Sequence, residues 1–254
     1  NALNGVTTYA TTADALGYLT IKTTVYPDGG TRIENYFQDG QLAKVTGTAV
    51  QPVRYDYGVE SDAASPDYLR PYSKEIKLDA SGTDTSEWSK SYTDVFGRSY
   101  KTVYAAASAP YPFTQSFYNR KGQLVKSVDP DSVTTLYQYK ATGETEFTAT
   151  DMNTADTTQD GNGNFPLDLN VDRVTRATND VYYNATYAVN VRRSQTYVYP
   201  TNSSSTPLLV SKQESSTDGL RGWQTVYRDV STPVVSASRT LYTNNDGATI
   251  PGYR

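Results

Sequence analysis

The residues best suited to chemistry form a short polar run with an oxygen-bearing side chain at regular intervals: Asp160, Asn162, Asn164 and Asp168. Oxygen ligands at positions 1, 3, 5 and 9 of a loop are the arrangement with which EF-hand-type loops bind Ca²⁺, a hard cation. The spacing therefore predicts a calcium site that fixes the conformation of a loop. Ca²⁺ is the one cofactor that the sequence supports.

Two positions of this run depart from a calcium-binding loop. Phe165 stands at position 6, where such loops have glycine, and Val171 stands at position 12, where they have a bidentate glutamate. Asp172, one residue late, or Asp156 can substitute for that glutamate. The competing interpretation is a polar turn whose Asp and Asn side chains accept hydrogen bonds from their own backbone.

The two tryptophans, Trp88 and Trp223, are the candidates for binding a glycan, because the flat face of an indole ring stacks on a sugar ring. Packing of the sheet is the main explanation for the 23 tyrosines. At alternate positions of a strand, tyrosine covers a two-faced sheet while its hydroxyl reaches water or a partner. A carbohydrate-binding or adhesin module that uses Tyr and Trp is thus an alternative function, and packing in small cores is the alternative role of both tryptophans.

Catalysis has few residue types to draw on. The chain has no histidine and no cysteine, which excludes Ser-His-Asp and Cys-His catalysis and zinc sites built on those ligands. Carboxylate chemistry remains, such as the acid pair of a glycosidase, as does a lyase site of Tyr, Lys or Arg. The spacing of the 27 acidic residues singles out no pair. We therefore expect no catalytic residues and no enzyme, with a carboxylate-based polysaccharide-degrading enzyme as the second alternative.

The elements that must position these residues are short strands between turns. From Val133 to Lys140, Val, Thr and Tyr alternate with Thr, Leu, Gln and Lys, which is the period of a strand with two different faces. Gly122, Pro130-Asp131-Ser132 and Gly143 punctuate this region. Proline fixes φ, Asp caps the turn and glycine accepts a positive φ, so these residues predict hairpins.

The same order of turns occurs twice. Turn glycines fall at 17, 29 and 40 and again at 97, 122 and 143, one strand and turn taking roughly 10 to 12 residues. Residues 40–44 match residues 122–126 as Gly-Gln-Leu-x-Lys, and each match follows an aromatic pair. We further match Tyr55-Asp56-Tyr57-Gly58 with residues 139–143 and expect the two segments to fold alike.

These motifs resemble a known family. A Tyr-Asp dipeptide, a Pro-Asp-Gly turn, an Asp-x-x-Gly-Arg turn and a Gly-Gln-Leu tripeptide occur at 55–56, 27–29, 94–98 and 40–42. Their order and spacing over about 14–150 are similar to the YD repeats of RHS (rearrangement-hotspot) proteins, the teneurins and the C component of insecticidal toxin complexes. The resemblance implies a β-ribbon that spirals into a hollow shell, often around a toxin or effector. The chain carries no toxin domain or self-cleavage segment, so we expect it to be part of a longer protein.

Composition favours a folded, extracellular β protein. Only 37% of the residues are hydrophobic, but 12% are aromatic and the net charge is −4, which argues against disorder. Dispersed charge without a Lys/Arg cluster predicts no nucleic-acid partner, and no stretch is apolar enough for a membrane span. The absence of cysteine is typical of large secreted bacterial proteins, so we expect a secreted or cell-surface location in a bacterium.

The predicted fold class is all-β, a meandering antiparallel ribbon of YD-repeat hairpins in a spiralling or shell-like sheet. Residues 1–150 form the first part, with the clearer copies at 14–60 and 88–150 and one strand between two loops at 61–87. A polar insertion loop follows at 151–170, and residues 151–254 continue the ribbon after it. We expect a non-catalytic structural segment whose partners are further YD-repeat segments of the same or a neighbouring chain, an enclosed effector, or, in the alternative, a glycan.

Overall fold

The structure is a computed structural model that describes residues 5–62, 65–153, 158–200, 206–227 and 233–240. These residues form strands, turns and irregular segments and contain no helix, which confirms the all-β prediction. The described strands are β1 (Thr8–Ala13), β2 (Leu19–Val25), β3 (Thr31–Tyr36), β4 (Leu42–Thr46), β5 (Val53–Asp62), β6 (Ser65–Leu78), β7 (Asp84–Thr93), β8 (Ser99–Tyr104), β9 (Phe113–Tyr118), β10 (Leu124–Val128), β11 (Thr134–Tyr139), β12 (Thr145–Asp151), β13 (Arg173–Asn184), β14 (Val189–Val198), β15 (Leu208–Ser216), β16 (Arg221–Tyr227) and β17 (Pro233–Arg239).

Strands pair with their neighbours in sequence, and every register pairing is antiparallel. Thr8 lies opposite Val25 in β1–β2, for example, and Thr175 lies opposite Val198 in β13–β14. The chain divides into two compact units, one made of residues 1–115 with 129–131 and the other of residues 116–128 with 132–254. In each unit the strands follow one another as a meander of hairpins, as the alternating sequence predicts.

One turn recurs along the meander. Asp14, Asp79, Asp94, Asn119 and Asp160 each begin a turn of the form Asp/Asn-x-x-Gly. In each turn the Oδ1 atom of the first residue accepts the N–H groups of the third and fifth residues at 2.8–3.0 Å. The N–H of the glycine donates to the backbone carbonyl of the first residue. A short side chain thus replaces the strand partners that the backbone loses where the chain reverses.

Glycine at the fourth position has a conformational reason. All six turn glycines named from the sequence (17, 29, 40, 97, 122 and 143) have φ between +80° and +93°. That left-handed region is open to glycine at little steric cost, and a type I turn followed by such a residue closes a hairpin with a bulge. The register shift between Thr12 and Ala13 in β1 is one such irregularity. The turn prediction is confirmed at these six positions.

The two repeat copies share a specific contact. The Tyr57 hydroxyl on β5 donates to the Leu42 carbonyl at 2.9 Å, and the Tyr139 hydroxyl on β11 donates to the Leu124 carbonyl at 2.6 Å. In both copies the acceptor is the first residue of the strand that follows the Gly-Gln turn. Tyr57 is therefore the structural counterpart of Tyr139, and the two segments fold alike in this respect.

Two details of the sequence interpretation are wrong. Gly58 does not correspond to the turn glycine Gly143, because Gly58 lies inside β5 opposite Tyr72 of β6. The segment 61–87 is not one strand between two loops. The ends of β5 and β7 and the 14-residue strand β6 occupy most of it, because β6 pairs with β5 on one side and with β7 on the other.

The insertion after β12 builds the core of the second unit. Phe165 is buried with Val125, Leu136, Ala149, Val174 and Tyr199, and Leu167 and Leu169 pack against this cluster. The ring of Phe165 meets Phe117 edge to face, with centroids 5.8 Å apart. Among the residues of the first unit whose burial the structure describes, the buried apolar ones are Val45, Val53, Ile76 and Leu78. The polar insertion is thus partly a cover for one face of the second unit.

Candidate functional site

Three of the predicted calcium ligands, Asp160, Asn162 and Asn164, lie in one turn, where the oxygens of Asp160 and Asn164 accept hydrogen bonds from the protein. Asp160 Oδ1 accepts the N–H groups of Asn162 and Asn164 at 2.8 Å, and Asp160 Oδ2 accepts the Asn164 side-chain amide at 3.0 Å. Asn164 Oδ1 accepts the amide of Asn119 at 3.1 Å. These bonds, led by the backbone N–H of Asn164, lower the pKa of Asp160 because they stabilise its carboxylate.

The remaining calcium candidates are also engaged by the backbone. Asp168 Oδ1 accepts the N–H of Asn170 at 2.9 Å. Asp172 is fully buried, and its two carboxylate oxygens accept the N–H groups of Met152 and Asp168 at 3.0 and 2.9 Å. Asp156 lies outside the described residues.

The Asp160 turn has the same backbone hydrogen bonds as four turns elsewhere in the chain, so the position of Asp160 at its start is explained by the turn itself. Across the described ranges, no three His, Cys, Asp or Glu side chains are grouped so that they hold a metal ion. Calcium binding at Asp160, Asn162, Asn164 and Asp168 stays a prediction.

The two tryptophans lie in different units, each in an aromatic and cationic cluster. Trp88, on β7, is half-buried; Tyr111 meets it edge to face at 5.2 Å and the Lys74 ammonium lies 4.6 Å from its ring centroid. Trp223, on β16, stacks on Tyr187 with centroids 5.3 Å apart, and the Arg221 guanidinium lies over Tyr187 at 4.6 Å. Each tryptophan thus has its own aromatic and cationic neighbours, and the binding of a glycan by either stays a prediction.

A groove that the sequence did not single out lies at the β3–β4 turn of the first unit. It has a volume of about 1120 Å³ and is lined by Tyr18 and Leu19 of the β1–β2 hairpin, by Phe37 to Gln41 of the turn, and by Lys22, Tyr36 and Tyr57. Tyr18, Phe37 and Tyr57 are 49%, 46% and 38% exposed. This "β3–β4 groove" combines exposed aromatic rings with a carboxylate and amides, which is the composition of many ligand sites.

The rings of the β3–β4 groove are held in place. Phe37 meets Tyr57 edge to face, with centroids 6.2 Å apart. The Tyr57 hydroxyl is fixed on the Leu42 carbonyl, and the Tyr36 hydroxyl donates to Glu34 at 3.1 Å. Burial raises the pKa of Tyr57, so this phenol stays neutral well above physiological pH. Contacts within the sheet therefore fix the Phe37 and Tyr57 rings, and Tyr57 is a hydrogen-bonding group without charge.

Polar atoms line the other side of the groove. Asp39 accepts the backbone N–H of Gln41 at 3.0 Å and its side-chain amide at 2.9 Å. The Lys22 ammonium lies 3.6 Å from Glu34, which also contacts Arg32. Glu34 is therefore shared between Lys22 and Arg32, and the charged lining residues of the groove are Lys22 on β2 and Asp39 in the turn.

The charged side chains of the strands form ion pairs and hydrogen bonds across the sheet. The Lys77 ammonium, followed by the Tyr55 hydroxyl, lowers the pKa of Glu75, while burial and the nearby Glu75 raise the pKa of Tyr55 to about 12. A hydrogen bond from Arg193 lowers the pKa of Asp180. Every described carboxyl whose pKa is shifted is shifted downward. A glycosidase acid needs the opposite shift, so these groups favour ion pairing over proton donation.

The fold and these contacts define an all-β protein built as a meander of hairpins with repeated Asx turns. No protein-family model matches the chain, and no curated protein matches its sequence. The described part of the chain contains no helix long and apolar enough to cross a membrane.

Proposed function

We propose that the chain is a non-catalytic structural segment of a bacterial RHS-type YD-repeat shell or surface scaffold, which encloses or presents another domain. The observation that supports this most directly is the equivalence of the two copies. Each has the same glycine turn and the same hydrogen bond from a strand tyrosine to the carbonyl after that turn. Repetition of one supersecondary unit is the means by which an extended wall grows without a large core.

The energetics of the strands fit this role. Most strand residues are only partly buried, and ion pairs and tyrosine hydrogen bonds join neighbouring strands, as between Tyr55 and Glu75 and between Arg176 and Glu146. Such cross-strand pairs stabilise a sheet locally, roughly 0.2–1 kcal/mol each. Each hairpin then depends mainly on its neighbours, so that further repeats add stability without a new core.

The proposed partners are further YD-repeat segments of the same or a neighbouring chain. In the first unit β1 pairs with β2 and with no other described strand of that unit, and all six β1 side chains are exposed. An uncovered edge strand is a template for another strand. Pairing there places the segment in a longer sheet, which fits a secreted or cell-surface shell around an effector.

Proline substitutions in β1 test this proposal. Adjacent residues of a strand point their N–H groups to opposite sides. Of the two variants Ala10→Pro and Thr11→Pro, one therefore removes a hydrogen bond to β2, and the other removes a donor on the free edge of β1, which we call the outward donor. We expect the full chain to associate with increasing concentration in sedimentation velocity. The outward proline should abolish association and preserve the circular dichroism spectrum. A chain that remains monomeric, with β1 amides that exchange freely in hydrogen-deuterium exchange, contradicts edge pairing.

A second measurement tests the non-catalytic part of the proposal. Release of reducing ends from a polysaccharide panel by the purified chain contradicts a purely structural role.

A further inference from the structure

We propose that the β3–β4 groove is a binding site for a neutral saccharide. The site is distinct from Trp88 and Trp223 and is a recognition function beyond that of a scaffold. Three ring systems, Tyr18, Phe37 and Tyr57, are each between a third and a half exposed at its surface. The C–H face of a pyranose ring packs on such a ring, while its hydroxyls need hydrogen-bonding groups at the edge.

Those hydrogen-bonding groups are present and oriented. Gln38, Asp39 and Gln41 all lie on the exposed turn, and the Asp39 carboxylate fixes the Gln41 amide at 2.9 Å. The Tyr57 hydroxyl donates its proton to the Leu42 carbonyl, so its oxygen faces a ligand as an acceptor. Carboxylate, amide and phenol groups beside aromatic rings match the alternating apolar and hydroxyl surfaces of a sugar.

The alternative ligand classes fit less well. A peptide cannot pair with β2 or β3, which carry most of the strand residues of the groove, because each of these strands is paired on both sides. The Asp39 carboxylate repels an anionic ligand, and the Lys22 ammonium, which would attract one, lies 3.6 Å from the Glu34 carboxylate. The groove therefore favours an uncharged ligand that carries many hydroxyls.

The second copy supplies an internal comparison. At the matching turn, Asn119 replaces Phe37 and Arg120 and Lys121 replace Gln38 and Asp39. Asn119 Oδ1 accepts two backbone N–H groups at 3.0 Å, bonds that a phenylalanine cannot make. The turn therefore folds with a polar first residue, whereas Phe37 forgoes these two backbone hydrogen bonds and leaves 46% of its surface exposed. Such a departure from the locally favoured residue is expected at a functional position.

This comparison provides a substitution that removes the aromatic ring and keeps the turn. In the full-length chain, Phe37→Asn introduces the residue that already begins the equivalent turn. We expect the wild-type chain to bind immobilised neutral oligosaccharides (cello-, malto-, manno- and xylo-series) on an array. Titration calorimetry with the best of these probes should show a loss of affinity of at least about tenfold in Phe37→Asn, with an unchanged or higher melting temperature.

Matched variants decide where binding occurs. Arg120→Gln, at the turn of the second copy, should leave affinity unchanged, and Asp39→Asn should weaken it several-fold because the amide is a poorer acceptor for sugar hydroxyls. Absence of binding to every neutral series overturns the proposal. Retention of wild-type affinity in Phe37→Asn, or its loss in Trp88→Ala or Trp223→Ala, overturns it as well and moves the site elsewhere.

Discussion

Removal of the Phe165 side chain tests whether the insertion is a structural cover. Phe165 is 6% exposed and belongs to the buried apolar cluster described for the second unit. Its ring meets Phe117 at 5.8 Å and lies 4.8 Å from the Lys126 ammonium. Phe165→Ala removes these contacts and leaves a cavity, a change that typically costs roughly 3–5 kcal/mol of unfolding free energy.

Without the Phe165 ring, the insertion is held by the packing of Leu167 and Leu169 and by a small number of hydrogen bonds. The hydrogen bonds include those from the Arg120 N–H to the Asn162 carbonyl at 3.1 Å, from Asn119 to Asn164 at 3.1 Å, and from Gln138 to the Phe165 carbonyl at 3.3 Å. Each contributes about 0.5–1.5 kcal/mol net. We therefore expect the backbone amides of 158–172 to exchange faster in the variant, in addition to the global loss of stability.

Urea denaturation followed by circular dichroism measures the first effect, and hydrogen-deuterium exchange measures the second. Tyr183→Ala is the control in the same unit: Tyr183 is 62% exposed on β13, and its replacement should cost at most about 1 kcal/mol. The reasoning is refuted if Phe165→Ala loses no more stability than Tyr183→Ala and leaves exchange of the insertion unchanged.

Three further perturbations address the turns. Gly47→Ala should prevent folding of the first unit, as measured in thermal melts, because the added Cβ would lie 2.1 Å from the Thr31 carbonyl oxygen. In the control Gly17→Ala the added Cβ meets nothing within 4 Å, so this variant should lose only about 1 kcal/mol of unfolding free energy through the strain of its φ. Hydrogen bonds from a serine hydroxyl and from backbone N–H groups lower the pKa of Asp79, so its contribution to stability is complete above about pH 4 and is lost as the pH falls through its folded-state pKa. Asp79→Asn should accordingly flatten the acid limb of a stability-pH curve, and an unchanged slope contradicts this. Binding of Ca²⁺ at Asp160, Asn162, Asn164 and Asp168 should raise the melting temperature at millimolar Ca²⁺ and EGTA should reverse the rise, whereas an unchanged melting temperature supports the polar-turn interpretation.

The strands and turns could be predicted because their causes are local. Gly40 and Gly122 adopt a positive φ within turns, and Thr134–Tyr139 forms a strand where the side chains alternate. The predictions that failed required knowledge of a partner strand. Gly58 resembles a turn glycine in sequence, yet it pairs with Tyr72, whose ring occupies the space beside it.

The candidate calcium site could not be assessed from the sequence alone. The run from Asp160 to Asp168 is a calcium pattern by spacing, but the hydrogen bonds of Asp160 match those of ordinary hairpin turns such as the one at Asp94. Phe165 was noted only as a departure from that pattern. A single aromatic residue in a polar loop was the available signal that the loop packs against a core.

The sequence by itself determined where the chain reverses and which residues alternate between two faces, because backbone preference and side-chain period act over a few neighbouring residues. Tertiary structure decided which faces are covered. Phe165 covers Phe117 across almost fifty positions of sequence, while Tyr18, Phe37 and Tyr57 come together around an open groove. Burial and exposure depend on contacts between residues far apart in the chain, and no local pattern specifies them.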